Sequence, residues 1–302
     1  MRTSRVSDLP QIEIRRLRSL YEYRECEDLQ TEVWGSLGVG SEALLVTQKY
    51  GGIVLGAFAK GKLLGFIYAF LGRYHGWVVH WSHLMAVGKS HRDKGLGFRM
   101  KLAHRELALQ EGIKSICWTY DPLQSRNAAL NIARLGARVE EYIPDCYGRF
   151  PSLIEKGLPS DRFVVNWQIA SARVARRLHA PLLRHVDLDL PRINETRRNR
   201  EGFIVNRRIN FSFAEPRLLL EIPTNTQEMR DHALKLAARW RLETRRVFQH
   251  AFESDCRVLD FVATGSGEER RAFYVLRGAR NQRPAWSRPE PLRKNPCLLT
   301  MR

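Results

Sequence analysis

From residue 11 the chain alternates short runs of period-two hydrophobicity with longer runs whose apolar residues recur every three or four positions, the signatures of strands and amphipathic helices. Ile12 to Leu17 reads as a strand, and Ser19 to Trp34 as a helix stopped by Gly35. Gly52 to Ala59 and Leu63 to Leu71 flank Lys60-Gly61-Lys62, which predicts a hairpin, and Trp77 to Val87 predicts a further strand. After a glycine-rich segment, Leu96, Met100, Ala103 and Leu107 fall at helical spacing, ended by Gly112. Ser115 to Tyr120 is the next strand, Ser125 to Leu135 a helix closed by Gly136, and Ala137 to Ile143 and Phe163 to Ile169 two more strands. The order β-α-β-β-β-α-β-α-β-β predicts a mixed α+β (α/β) domain over residues 11–178.

The C-terminal part repeats a strand, helix and hairpin: Arg217 to Ile222, a helix over Thr226 to Glu253, then Val258 to Thr264 and Ala272 to Leu276 around Gly265-Ser266-Gly267. On the helix, Met229, Ala233, Leu236, Trp240, Val247 and Ala251 form one stripe, with Arg230, Lys235, Arg239, Arg241 and Arg245 largely off it. Residues 209–278 thus read as a second α/β segment, a degenerate half-copy of the first without its glycine loop, packing on the first domain or on a second subunit of a homodimer.

Charge changes this picture at the joints. The chain of 302 residues carries a formal net charge of +18, much of it in Pro191 to Arg208 and in Arg277 to Arg302. This predicts a basic linker over 179–208 and a disordered tail over 279–302, beside a flexible N-terminus over 1–10. A basic chain favours anionic partners. Nucleic acid is disfavoured, because the charge concentrates in linker and tail and no helix-turn-helix, zinc or RNP signature occurs. No apolar run approaches bilayer length and no secretory leader is evident, so a cytoplasmic protein without membrane contact is expected. Five cysteines, Cys26, Cys117, Cys146, Cys256 and Cys297, lack CxxC pairing, which predicts reduced thiols and no metal. Cys117, inside an apolar strand, reads as core.

Candidate chemistry lies in Val87 to Gly97. A helix N-terminus exposes unpaired N–H groups and a partial positive charge, and so binds phosphate. Gly95 and Gly97 let the backbone approach the anion, and Arg92 and Lys94 add charge. Neither a Walker loop nor a dinucleotide fingerprint is present here. With a strand ending at Val87, Arg92 five residues on, and Gly95 and Gly97 opening a helix, the segment resembles the coenzyme-binding motif of the GNAT acyltransferase superfamily. The resemblance implies a fold in which the strand at Leu84 to Val87 splays from that at Ile116 to Tyr120. Backbone groups of Met85, Ala86 and Val87 would then pair with pantetheine, and Arg92, Asp93, Lys94, Gly95, Leu96 and Gly97 would cradle the pyrophosphate.

Residues 121 to 136 resemble the superfamily's Asn-x-x-Ala-x-x-x-Tyr-x-x-x-Gly element, with Ala128 and Gly136 in place but Ser125 at the Asn position and Ile132 at the Tyr position. The usual thiolate acid is missing, and Asn127 or Asn131 would substitute for the cofactor contact. The same stretch, with GLPSDRFVVNW at Gly157 to Trp167, resembles a branch of predicted acyltransferases whose similarity extends into the C-terminal segment.

Acyl transfer to an amine needs a base for the amine and an acid for the thiolate. His83 is the candidate base, with His80 expected on the opposite strand face. Tyr120, beside Asp121, is the candidate acid, with Tyr142 and Tyr147 as rivals. These readings imply acetyl-CoA-dependent N-acetyl transfer to a small-molecule amine such as an amino acid, without a metal. The alternatives are succinyl-CoA or another acyl-CoA as donor, protein acetylation, which the basic character disfavours, and a catalytically silent CoA-binding or nucleic-acid-binding regulator.

Overall fold

A computed structural model describes residues 12–148 except Leu37, 157–179 and 186–278. The expected flexible N-terminus, the tail over 279–302 and residues 180–185 of the expected linker lie outside the described residues.

The first element after strand β1 (Glu13–Arg16) is helix α1 (Leu20–Trp34). Its start is fixed by a reciprocal cap: Glu22 N–H donates to Ser19 Oγ at 3.3 Å, while Arg18 N–H donates to Glu22 Oε2 at 2.6 Å. Helix α2 (Ser41–Lys49) follows, an element the hydrophobic pattern does not predict. It is nine residues long with Leu44 as its buried contact, too short a run to show a period, and its cap is Gly40 rather than a capping side chain.

Strands β2 (Ile53–Ala59), β3 (Lys62–Tyr74) and β4 (Trp77–Val87) form an antiparallel meander. Lys60 and Gly61 take left-handed φ values of 50° and 75°, the two-residue turn whose twist suits a hairpin. Helix α3 (Leu96–Gln110) returns the chain to β5 (Ser115–Tyr120), which lies parallel to β4. Helix α4 (Ser125–Ala128) runs on as a wider, π-helical turn over Ala129–Arg134 into β6 (Arg138–Ile143), and β7 (Arg162–Gln168) inserts between β5 and β6. The sheet order β1-β2-β3-β4-β5-β7-β6 is a mixed seven-stranded sheet. Leu44, Cys26, Phe66 and Tyr68 fill the core under α1 and α2, and Leu55, Ile67, Leu96 and Met100 the core under α3.

Beyond helix α5 (Ala172–His179), the segment expected to be a linker is folded. Strands β8 (Asn194–Arg198) and β9 (Ile204–Ile209) form a hairpin. Asn194 Nδ2 donates to Asn206 Oδ1 at 2.7 Å and to Glu221 O at 2.9 Å, and Ile193 and Ile204 are buried, so a few inward residues anchor a strand pair whose arginines face water. Composition registers the outward charges and misses these anchors.

The C-terminal sheet is β10-β12-β11, from β10 (Arg217–Ile222), β11 (Arg257–Thr264) and β12 (Arg271–Arg277). The helix expected over Thr226 to Glu253 is broken at Ala233 into α6 (Thr226–His232) and α7 (Leu234–Glu253). This sheet packs on the first within the same chain. Phe163 of β7 meets Phe248 of α7 at 4.7 Å and Tyr274 of β12 at 5.7 Å between ring centroids, in one continuous core.

Candidate functional site

Strands β4 and β5 are paired only at His80↔Ile116 and Trp81↔Cys117. From Ser82 to Val87 the far edge of β4 has no partner in β5, although β4 stays paired with β3 as far as Val87. Alternate residues of an antiparallel strand turn their N–H and C=O groups away from that partner, so Met85, Ala86 and Val87 border a wedge with backbone groups open to a ligand. A bulge in the β3–β4 register, where Tyr68 pairs with Leu84 and Ala69 with Ser82, leaves His83 as the extra residue.

At the wide end of the wedge the chain turns through Lys89–His91 into α3. Arg92 Nε donates to Val87 O at 3.0 Å and Lys94 Nζ to Ser90 O at 2.9 Å, which holds the loop against the strand end. Asp93 takes a left-handed φ of 62° and its carboxylate lies 3.3 Å from Arg126 of α4. Gly95 caps α3 at φ 77° and supplies no side-chain acceptor, so the N–H groups of the first turn, at Leu96 and Gly97, are left for an anion. A Cβ on Gly95 would have nothing within 4 Å, as expected of a backbone facing open space. The loop residues singled out in the sequence are thus brought together at one mouth.

His83 is exposed and stands edge-on to Tyr68 and near Phe70, with ring centroids at 6.1 and 6.2 Å. Partial desolvation by these rings lowers its pKa, so the imidazole is neutral near pH 7. His80 is on the other face, fully buried beneath α3, as the strand period requires. Asn127 is exposed on α4 and Asn131 is buried in the turn that follows. Ile132 is buried in the core, so no polar group stands at that position.

Tyr120 is not placed as an acid for the wedge. Its hydroxyl is buried against the Tyr274 hydroxyl at 3.2 Å, which in turn donates to Pro122 O at 2.7 Å, and burial drives its pKa well above the usual phenol value. The aromatic serves the joint between the two sheets, a contact from 154 residues away that no local pattern announces. The rivals are also engaged: Tyr142 donates to Asp161, and Tyr147 bonds Thr119 Oγ1 at 2.8 Å. Cys117 is buried core, with its thiol pushed up to about 12 by burial.

The arginine-bearing helix is not a solvated face throughout. Arg241 is buried and clamps Asp121 through both guanidinium nitrogens at 2.8 and 2.7 Å, with Arg230 at 3.5 Å from the same carboxylate. Arg245 pairs with the buried Asp161. Burial would raise the carboxyl of Asp121, but the Arg241 and Arg230 charges hold it at about 2. Sequence reasoning also passed over Lys101 and His104, buried under the narrow end of the wedge; polar residues at inward positions of α3 are the signal that could have found them. Elsewhere, Arg207, Arg208, Arg239 and Arg246 line an open groove of ≈ 250 Å³ between β9 and α7.

Among the described residues no group of three His, Cys, Asp or Glu side chains could hold a metal ion, and no helix is long and apolar enough to cross a membrane.

The sequence model of the acetyltransferase (GNAT) family matches residues 14–137. Among solved structures, the ribosomal-protein-S18-alanine N-acetyltransferase of Escherichia coli is similar at 12% identity, with 54% of this chain and 96% of that one covered and a TM-score of 0.44. A GNAT-family acetyltransferase from Streptococcus pneumoniae is similar at 20% identity, covering 52% and 98%, with a TM-score of 0.43. An aminoglycoside 6'-N-acetyltransferase complexed with coenzyme A is similar at 16% identity, covering 53% and 98%, with a TM-score of 0.43. Among curated proteins none matches the chain.

Proposed function

Because residues 14–137 belong to the acetyltransferase (GNAT) family, we propose that the protein is an acyl-CoA-dependent N-acyltransferase that passes an acetyl group to a primary amine of a small molecule, such as an amino acid, in a ternary complex. The observation that carries this reading is the pairing of an α3 N-terminus that has no side-chain cap with the free edge of β4: an anion seat and a row of open backbone groups at one wedge.

The residues fit an acyl-CoA. The N–H groups at Leu96 and Gly97 receive the pyrophosphate, and Lys94 adds positive charge beside them. Backbone groups of Met85, Ala86 and Val87 hold the pantetheine amides, and an N–H in that stretch polarises the thioester carbonyl. Asn127, exposed on α4 next to Arg126, whose guanidinium reaches Asp93, supplies the cofactor contact from that helix in this reading. His83, neutral near pH 7, takes the proton of the amine directly or through water.

Calorimetric titration with CoA, acetyl-CoA and succinyl-CoA tests the reading and identifies the donor. A glutamate at position 97 meets only the flexible end of Met85, at 3.4 Å from its Cβ, so the fold should tolerate it while a carboxylate is placed at the anion seat. Gly97→Glu is expected to weaken CoA binding at least tenfold, about 1.4 kcal/mol. Unchanged affinity in Gly97→Glu and in Gly95→Glu would overturn the cofactor assignment. An amine panel followed by thiol release then names the acceptor.

A further inference from the structure

Beneath the point where β4 and β5 part lies a line of titratable side chains. Lys101 of α3 is 3% exposed, and its Nζ donates to Ser82 Oγ at 3.0 Å and sits 3.9 Å from the centroid of the Trp118 ring. Ser82 and Trp118 are the first positions beyond the last β4–β5 pair, so the amine occupies the vertex of the wedge. One turn along α3 the fully buried His104 places Nε2 3.3 Å from Nδ1 of His80, and the two rings stack. His80 Nε2 is 3.4 Å from Glu111 Oε2, and Glu111 is 34% exposed and also pairs with Arg16 of β1. Titratable side chains therefore stand between the surface and the vertex, with His80 Nε2 near Glu111 but outside hydrogen-bond geometry.

Packing alone does not account for this line. The seam between a helix and a sheet is normally apolar, and burying an ammonium with no carboxylate beside it costs several kcal/mol. No ion pair joins Lys101 to an acid among the described residues, and His104 Nδ1 is buried without a hydrogen-bond partner there. The groups facing the line are Ser82 and His80 from β4, Trp118 from β5, Arg16 from β1, and His104 and Glu111 from α3 and its end. Burial above all, and then the charges of Lys101, His80 and Arg16, disfavour a proton on His104. Burial lowers Lys101 to about 7, so its proton can be given up and regained near neutral pH.

The departing thiolate needs a proton, and Tyr120 is turned away into the joint with Tyr274. Resting on the acyltransferase reading above, we propose that Lys101 supplies that proton from the vertex of the wedge and is reprotonated from solvent once the product leaves. The amine nitrogen bonds the thioester carbon, the carbon–sulfur bond breaks with its electron pair on sulfur, and the sulfur takes a proton from the Lys101 ammonium. The proton lost by the attacking amine leaves through His83 to water, so one proton is released and one consumed.

The test is thiol release from acetyl-CoA with a primary amine that the panel above identifies, followed from about pH 5.5 to 9 in the full-length protein, its Lys101→Met and Lys101→Arg variants, with CoA affinity measured in parallel. Both variants are expected to lose at least tenfold in rate at about pH 6.5, and to lose the inflection near 7, while CoA affinity stays within about threefold. Arginine keeps the charge but cannot release its proton, so a slow Lys101→Arg separates proton transfer from charge. An unchanged rate and pH profile in Lys101→Met with CoA still bound overturns the proposal. Failure of the unsubstituted protein to bind CoA would instead count against the acyltransferase reading. Carbon-13 NMR of lysine Cε supplies a readout independent of turnover. One lysine signal should titrate near pH 7, be absent from Lys101→Met and shift on adding CoA; no such signal, or one blind to CoA, also overturns the proposal.

Discussion

Lys101 sets the pH behaviour of stability at the scale of a single residue. Its folded pKa of about 7 lies below the ordinary lysine value of 10.5, so between those values the unfolded chain holds more protons than the folded one. Stability contributed by the neutral amine is thus fully present above about 10.5 and is lost as pH falls toward 7. Thermal unfolding should show Tm rising from pH 7 toward 10, a rise that Lys101→Met flattens. At pH 7 the methionine variant should be the more stable, by roughly 2–4 °C for each kcal/mol of relieved burial. A variant that gains stability while losing thiol release would mark Lys101 as kept for chemistry rather than for packing.

At the scale of elements, the join between β5 and α7 rests on a buried charge pair. Removing one member leaves the other buried and poorly compensated, so Arg241→Ala should destabilise the protein by about 3 kcal/mol in denaturant titration, with Arg230 remaining near Asp121. The pair has an acid limit. The Asp121 carboxyl is held at about 2, below the ordinary aspartate value of 3.8, so its stabilising share is present above about 3.8 and lost as pH falls through 2. Arg241→Ala should therefore weaken or abolish that acid-dependent step. The element boundaries around this join were legible, because β5, β10 and the start of α6 end in Tyr-Asp-Pro, Ile-Pro and an Asn cap. What β5 meets was not, since Asp121 and Arg241 are 120 positions apart.

For the whole molecule, the two sheets share one core rather than standing as separate domains. Phe163, Phe248 and Tyr274 interlock across the joint, and Tyr120 and Tyr274 bond hydroxyl to hydroxyl within it. Calorimetric unfolding of the full chain should give a single cooperative transition, and Phe163→Ala should lower it as a unit by about 3 kcal/mol or more without splitting it. Two resolved transitions would show that the segments unfold independently.

The sequence by itself determined the order of strands and helices through β7 (helix α2 apart), the hairpin at Lys60-Gly61 and the glycine mouth of α3. These depend on hydrophobic period, left-handed turn positions and helix-end chemistry, all written within a dozen residues. The resemblance implied that β4 and β5 splay; only the tertiary structure decided that they part just after Trp81, that Lys101 fills the vertex while Tyr120 faces away, and that a run of arginines folds into a hairpin. The physical reason is common to all three. A side chain's protonation and purpose follow from what packs against it, and those partners, Trp118 for Lys101 and Tyr274 for Tyr120, come from distant parts of the chain that only folding brings together.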